Sequence, residues 1–529
     1  MISMGIIEGN ELHGDHTETA DVVVIGSGIG GATAAMVLAE AGKRVIVLEQ
    51  GGYYTGLVDP IDPSRPGRGT LDQREDDMFA RIDGERGLAT STDGRVPLSF
   101  GRCVGGASVH YWADSYRAPA DRLAQWEREH GLEGFGSDDL APYFARYEAD
   151  LGVHPAPDEY FNGCNRVFRR GVEALGWQGD RVPQARRGCV KSGYCMQGCA
   201  YNAKQSMLVT YLPRAIRAGA MVFADCRVEA IALAGGRACV ARAAVLNRDT
   251  GEPTGRVLHV KAGAVVLAAG GYGSAALWVR SGLPNTAGMV GRNLTCNPCA
   301  MAFGYFAEDI VMWRNIPAAF GCLHWRLRRY EGGRYREGGY LLMPNQLGPA
   351  TLAALLPGAG ADHRDRMARM ANLAGTIAWI DDADTGRLAV GSAGRAQYRV
   401  PIEGANEAVL RDAFEKCAHV LLAAGATEVF LADTAGTRIR DERDLGRIHR
   451  ISFGPGAVSF PAPHPGGMLR MGPDRRSSVV SCSGEAHEIP GLYVTDPSLF
   501  PTALSVDPSE TIAAFSMVIA DGMLARGLG

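Results

Sequence analysis

Near the amino terminus the apolar positions form an unbroken β-branched run, Asp21-Val-Val-Val-Ile25, that ends at a glycine. A run that is apolar at every position, rather than at alternate ones, predicts a short strand buried on both faces, as in a parallel sheet. Ala32 to Ala41 follows with small and apolar residues of good helix propensity, and Gly42 stands as its stop. Val45-Ile-Val-Leu48 repeats the buried-strand pattern, with Glu49 at its end. Strand, helix and strand in this order predict a βαβ unit. Farther on, Ala264-Val-Val-Leu-Ala-Ala269-Gly270-Gly271 is a strand running into glycines. Gly491-Leu-Tyr-Val-Thr-Asp496 reads as a strand, and a helix is expected from about Ser509 to Leu524. Leu410, Ala413, Phe414, Cys417 and Leu421 make one helical face closed by Gly425. Ile377–Ile380 and Leu388–Val390 flank the polar stretch 381–386, a pattern that predicts a hairpin.

Between the first strand and helix lies Gly26-Ser-Gly28-Ile-Gly30-Gly31, a G-x-G-x-x-G in register with both. Each glycine has a mechanical role: Gly26 for the tight turn, Gly28 for backbone approach to a pyrophosphate, Gly31 for helix-on-strand packing. The free N–H groups of the helix start suit the anion. Glu49 is placed to accept from a ribose hydroxyl, which argues against a 2′-phosphate and so against NADP. The unit by itself does not separate FAD from NAD.

Other segments add to it. Arg102-Cys-Val-Gly105-Gly106-Ala-Ser108-Val-His110-Tyr-Trp112 is a second glycine-containing stretch, and Val290-Gly291-Arg292-Asn293-Leu294 follows the 264–271 strand. His464-Pro-Gly-Gly467 and Asp496-Pro-Ser-Leu-Phe-Pro501 precede Asp507-Pro508-Ser-Glu-Thr511-Ile512. In this order the segments resemble the glucose–methanol–choline (GMC) oxidoreductase family over most of the chain. Tyr201–Ser206 with Tyr211-Leu-Pro213 looks like its long-chain alcohol oxidase branch, and His464-Pro-x-Gly like its cholesterol oxidase branch. The resemblance implies an α/β chain with an α+β substrate part: a Rossmann-like FAD-binding domain assembled from separated segments, and a substrate domain with an antiparallel sheet. The boundaries expected are 17–118, 189–300 and 460–529 for the FAD domain, and 119–188 and 301–459 for the substrate domain and cap. Segments 120–188 and 300–370 match no motif and are expected to shape the substrate pocket. Cofactor contacts are implied at Gly26, Gly28, Gly31 and Glu49, at Gly105, Gly106, Ser108 and His110, at Val228, Ala269 and Gly270, and at Asp496, Pro508 and Thr511.

The family places a histidine of an H-x-x-G segment beside the flavin, with a His or Asn some forty residues later. Those positions fall on His464 and Asp507. The implied reaction is oxidation of a CH–OH group of a fairly large organic alcohol, with His464 as general base and hydride passing to flavin N5. Oxygen or another acceptor would take the electrons. Asp507 departs from the pattern, because an ionised carboxylate accepts where Asn or His donates. It implies either a protonated Asp507 or a substrate group from which Asp507 accepts; Asp-Pro before a helix also suits a capping role. The alternative activity is a flavin-bearing lyase or isomerase that uses His464 and Asp507 for acid–base chemistry without net redox. Some family members attach FAD covalently through the position of His110, and Cys189, Cys195 and Cys199 have a spacing that resembles an iron–sulfur segment. Neither state is favoured here, and no metal ligands are assigned.

Composition removes other classes. The 529 residues carry a net charge of −4, which gives no reason to expect a nucleic-acid partner. The one basic-aromatic run, 325–336, holds Glu331-Gly-Gly333 at its centre and reads as a solvated hairpin. Val22 to Ala39 is uncharged over 18 residues, yet its glycines and β-branched start fit the βαβ unit rather than a membrane span. No Lys or Arg precedes Lys43, so neither a secretory nor a transit leader is expected. Twelve cysteines in so long a chain fit a reducing compartment, and a cytoplasmic location is the expectation.

Overall fold

The computed structural model describes residues 5–391 and 395–527. The strand His16–Ile25 lies parallel between Val45–Leu48 and Pro253–Leu267, with Val22, Val23 and Val24 fully buried. Met221–Phe223 and Ile6–Ile7 extend the parallel sheet on one side, and Leu492–Val494 pairs parallel with the end of Pro253–Leu267. The first half of Pro253–Leu267 turns instead to an antiparallel meander with Cys226–Ala234 and Arg237–Leu246. The sheet thus draws strands from both ends and the middle of the chain, as the separated motifs predict. The first strand begins at His16 rather than Asp21, because Leu258–Lys261 continues the pairing outward. Helix Ile29–Glu40 covers the sheet and leans on the carboxy-terminal helix Ser509–Ala525, whose Ser516 Oγ donates to Gly30 O at 2.7 Å.

The second sheet is antiparallel throughout, in the order Arg438–Ile439, Glu428–Leu431, Cys299–Tyr305, Leu373–Ile380, Tyr340–Asn345, Phe320–Cys322, Gly179–Arg181. Helix Ala405–Ala423 packs on it, with Thr376 Oγ1 donating to Cys417 O at 3.2 Å. Alternation along Leu373–Ile380 sends Trp379 to the face opposite Ala378 and Ile380.

The hairpin expected across 377–390 does not form. Leu373–Ile380 stays in the seven-stranded sheet, while Gly386–Val390 pairs with Arg292–Leu294 and Ala396–Arg399 in a separate sheet. The polar stretch between them is pinned by distant partners: Asp381 to Arg122 at 2.5 Å, and Asp382 to the N–H groups of Cys296 and Asn297 at 3.2 and 2.8 Å. These long-range bonds outweigh the local turn preference. The Arg329–Glu331 and Arg334–Glu337 hairpin does form, with Gly332 and Gly333 both at positive φ.

Candidate active site

The glycine turn opens onto a cavity of about 320 Å³. Gly26 sits at φ +101° with Ala268 O close behind, so the turn is held against the neighbouring strand. A Cβ on Gly31 would meet Gly26 O at 2.0 Å, so helix and turn touch backbone to backbone there. Gly28 is different: a Cβ there would find only Gly106 Cα, at 3.9 Å, and the space beyond is cavity. Helices Ile29–Glu40 and Ser509–Ala525 both begin at this cavity without a side-chain cap, leaving their first N–H groups for a ligand. Glu49 accepts from Ser27 N at 3.1 Å, Ser27 Oγ at 2.7 Å and Gly51 N at 2.8 Å. An ionised carboxylate has about four acceptor sites, so one remains for a ligand hydroxyl. Burial raises the Glu49 carboxyl, and these three donors oppose that rise. A bare backbone at Gly28, two uncapped helix starts and a spare acceptor on Glu49 fit a dinucleotide such as FAD.

Of the positions expected at the cofactor, Gly26, Gly28, Glu49, Gly106, Ser108 and His110 line the cavity, as do Val228, Ala269, Gly270, Asp496 and Pro508. Gly31, Gly105 and Thr511 stand behind the wall; the Thr511 hydroxyl is fully buried without a partner. Asp496 is spent within the protein, accepting from Gly270 N at 2.9 Å, Ser498 N at 2.9 Å, and the hydroxyls of Ser274 and Ser498. It ties the start of helix Gly270–Arg280 to the strand end before it.

His464 reaches the same cavity from a loop held by backbone bonds on two sides. His464 N donates to Cys296 O at 3.3 Å, Gly466 N to Thr295 O at 2.8 Å, and Gly467 N to Pro497 O at 3.1 Å. Gly467 adopts φ +83°, and a Cβ there would lie 2.1 Å from Asn293 O. Asp382 supports this loop at one remove through Cys296 and Asn297; burial pushes its carboxyl up to about 7. His464 Nε2 lies 3.2 Å from Asp507 Oδ1, and its ring is tilted against Trp379 at 5.4 Å between centroids. Trp379 in turn meets Trp112 edge-on at 5.9 Å. The chain thus brings His464 and Asp507 together. Asp507 is not a cap: the N-cap of the following helix is Pro508, with no side-chain bond.

Several site residues carry no sequence signal of their own. Asp114 lines the cavity that Asp507 also lines and lies outside every sequence motif named above. Trp379 reads from sequence only as a strand residue. Segments 120–188 and 300–370, expected to shape the pocket, contribute no residue to its wall. They act from behind, Gln184 donating to Asp114 Oδ1 at 2.7 Å.

His110 is buried, and desolvation with the nearby Lys204 charge lowers it to about 3. Its Nε2 has no hydrogen-bond partner and lies 3.9 Å from Asp83 Oδ2. Asp83 accepts from Ser99 Oγ at 2.6 Å, and burial raises its carboxyl to about 7. A folded value above the unfolded 3.8 means that the fold prefers the neutral acid. The stability tied to Asp83 is therefore complete below pH 4 and is lost as pH rises through 7. Asp83→Asn, which cannot ionise, is expected to be more stable than the unmodified protein at pH 8, by up to about 4 kcal/mol, and equal to it at pH 4. Thermal unfolding at the two pH values checks this; an equal gain at both would contradict it.

The three clustered cysteines lie over Arg186 and Lys204. Arg186 Nη1 donates to Cys195 Sγ at 3.3 Å, and Lys204 Nζ to the carbonyls of Val109, Tyr111 and Cys195 at 2.6, 2.9 and 2.5 Å. Burial lowers Lys204 to about 8. Among the described residues no group of three His, Cys, Asp or Glu side chains could hold a metal ion. Cys296 and Cys299 are fully buried free thiols in the core. No described helix is long and apolar enough to cross a membrane.

Models of GMC oxidoreductase match residues 79–299 and 383–516, and one of an NAD(P)-binding Rossmann-like domain matches 24–72. An uncharacterized GMC-type oxidoreductase of Mycobacterium tuberculosis is 31% identical over 96% of this chain and 76% of its own. A long-chain-alcohol oxidase of Arabidopsis thaliana is 29% identical over 95% of this chain and 66% of its own. Among solved structures, pyridoxine 4-oxidase from Mesorbium loti superposes with a TM-score of 0.67 at 17% identity, over 95% of this chain and 98% of that one, a likeness of fold.

Proposed function

Because the chain belongs to the GMC oxidoreductase family of FAD-dependent enzymes, we propose that it oxidises the CH–OH group of a fairly large organic alcohol with His464 as general base. The observation that carries this reading is the meeting of His464 and Asp507 on the wall of the cavity that begins at the glycine turn. Bound FAD supplies the hydride acceptor at N5. The chain's own residues do the rest. Gly28 and the uncapped start of Ile29–Glu40 would hold the pyrophosphate, and Glu49 would accept from a ribose hydroxyl. The backbone-held loop at His464 keeps the imidazole in place to take the hydroxyl proton, so little reorganisation is needed at the moment of transfer. Trp112 and Trp379 offer an apolar edge against which a hydrocarbon portion of the substrate packs and from which water is displaced. The long-chain-alcohol oxidases among the relatives support a primary or secondary alcohol of some size.

Replacing the carbinol hydrogen by deuterium is expected to slow anaerobic flavin bleaching several-fold, because the C–H bond breaks in the step that bleaches it. Bleaching at the same rate with both isotopic forms, when chemistry limits the rate, would remove the hydride-transfer reading.

A further inference from the structure

Asp114 has no role in the chemistry described so far, yet it lines the cavity that His464 and Asp507 share. It is buried; its Oδ1 accepts from Gln184 Nε2 at 2.7 Å, and its Oδ2 has no partner. The Gln184 amide cannot be turned round. Its Oε1 accepts from Arg186 Nε at 2.8 Å, and a guanidinium only donates. Its Nε2 also donates to Pro317 O at 2.9 Å, a group that only accepts. Arg186 is fixed in turn by the Trp112 carbonyl at 2.6 Å and Cys195 Sγ at 3.3 Å. Orientation therefore passes from Arg186 to Gln184 to Asp114. Since Gln184 donates to Oδ1, any proton on Asp114 sits on Oδ2, the bare oxygen.

Asp507 mirrors this arrangement. Its Oδ1 lies 3.2 Å from His464 Nε2, and its Oδ2 is buried without a partner. Two ionised carboxylates on one cavity wall would repel each other, and each would leave an unpaired buried oxygen. One proton between them turns the two bare oxygens into one donor and one acceptor. The donor complements the lone pairs of a hydroxyl oxygen, which an ammonium group lacks, and leaves the hydroxyl proton free to pass to His464.

We propose that the Asp114–Asp507 pair holds one proton, carried on Asp114 Oδ2, and that Asp114 donates it as a hydrogen bond to the reacting oxygen of the substrate. Asp114 thus supplies a donor that Asp507, which only accepts while the proton sits on Asp114, does not. The inference rests on the alcohol-oxidation reading. The substrate O–H bond breaks with its proton passing to His464, the hydride leaves the carbinol carbon with its electron pair for the flavin, and the carbonyl forms. Asp114 keeps its proton throughout and stabilises the developing alkoxide. Burial and the charge of Asp507 both push the Asp114 carboxyl well above the usual range, and the Gln184 bond and the Arg186 charge oppose them. The other titratable groups close to it are Cys195, Tyr111 and Tyr116, and His464 lines the same cavity.

The test uses the holoenzyme and two variants. Infrared spectra at pH 7 are expected to show a protonated carboxylic acid band that Asp114→Asn removes; no such band would overturn the proposal, with or without substrate. Asp114→Asn keeps a donor in the same place, so its turnover should stay within about tenfold of the unmodified enzyme, while Asp114→Ala should lose about 10²–10³-fold. Raising the pH ionises Asp114 and removes the donor, so activity should fall on the alkaline side, and Asp114→Asn should lack that limb. If Asp114→Asn were as impaired as Asp114→Ala, a negative charge rather than a donor would be what the site needs, and the proposal would fall. If no alcohol bleaches the flavin, the oxidation reading fails, while the infrared result still decides where the proton lies.

Discussion

His464→Ala is expected to lower turnover by about 10²–10⁴-fold while flavin content and thermal stability stay close to those of the unmodified protein. The separation of activity from stability follows from how the loop is built. Its contacts to Cys296, Thr295 and Pro497 are all made by backbone atoms, which alanine leaves in place. The imidazole ring is tilted against Trp379 and lies 3.2 Å from one oxygen of Asp507, and neither contact joins backbone to backbone. Removing it deletes the group that takes the hydroxyl proton and little that holds the fold. Turnover with a saturating alcohol, flavin absorbance per chain and the unfolding midpoint together check this. A loss of activity only in proportion to a loss of flavin or of folded protein would show that His464 is a packing residue.

Two glycines three residues apart should fail in opposite ways: Gly31→Ala in folding, Gly28→Ala in cofactor binding. At Gly31 the new carbon would lie 2.0 Å from Gly26 O, a backbone atom that no rotamer change can move. A loss of about 3 kcal/mol or more is expected, because both the turn and the helix must shift. Gly28 has φ −67° and ψ −169°, which alanine adopts without strain, and its nearest neighbour in that direction is 3.9 Å away. The Gly28→Ala apoprotein should therefore fold as well as the unmodified one. The added methyl would occupy the path by which the pyrophosphate approaches the backbone, and flavin affinity should fall at least about tenfold, or 1.4 kcal/mol. Denaturation of the apoproteins and flavin titration separate the two effects. Equal flavin affinity in Gly28→Ala would place the pyrophosphate elsewhere.

The βαβ unit is legible in the sequence because its signals are local. The apolar run, the glycines, Gly42 and Glu49 each state their part within a few residues of where it acts. His464 and Asp507 are legible only through the family pattern, since no local rule brings residues so far apart in sequence to 3.2 Å. The hairpin at 377–390 misleads for the converse reason. Its turn looks free, but Asp381 and Asp382 are held by Arg122, Cys296 and Asn297, none of which is near in sequence. Asp114 shows the same limit at the site. Its proton is placed by Gln184 and Arg186 and its partner is Asp507, so its chemistry exists only after the chain has folded.

The most direct test of carbinol oxidation is a count of product against bleached flavin in a single anaerobic turnover. Enzyme mixed with an excess of a long-chain alcohol, without oxygen or any other acceptor, should bleach and form one carbonyl per flavin, then stop. Continued product formation with the flavin still yellow would contradict the account and leave His464 and Asp507 as the acid–base pair of a lyase or isomerase.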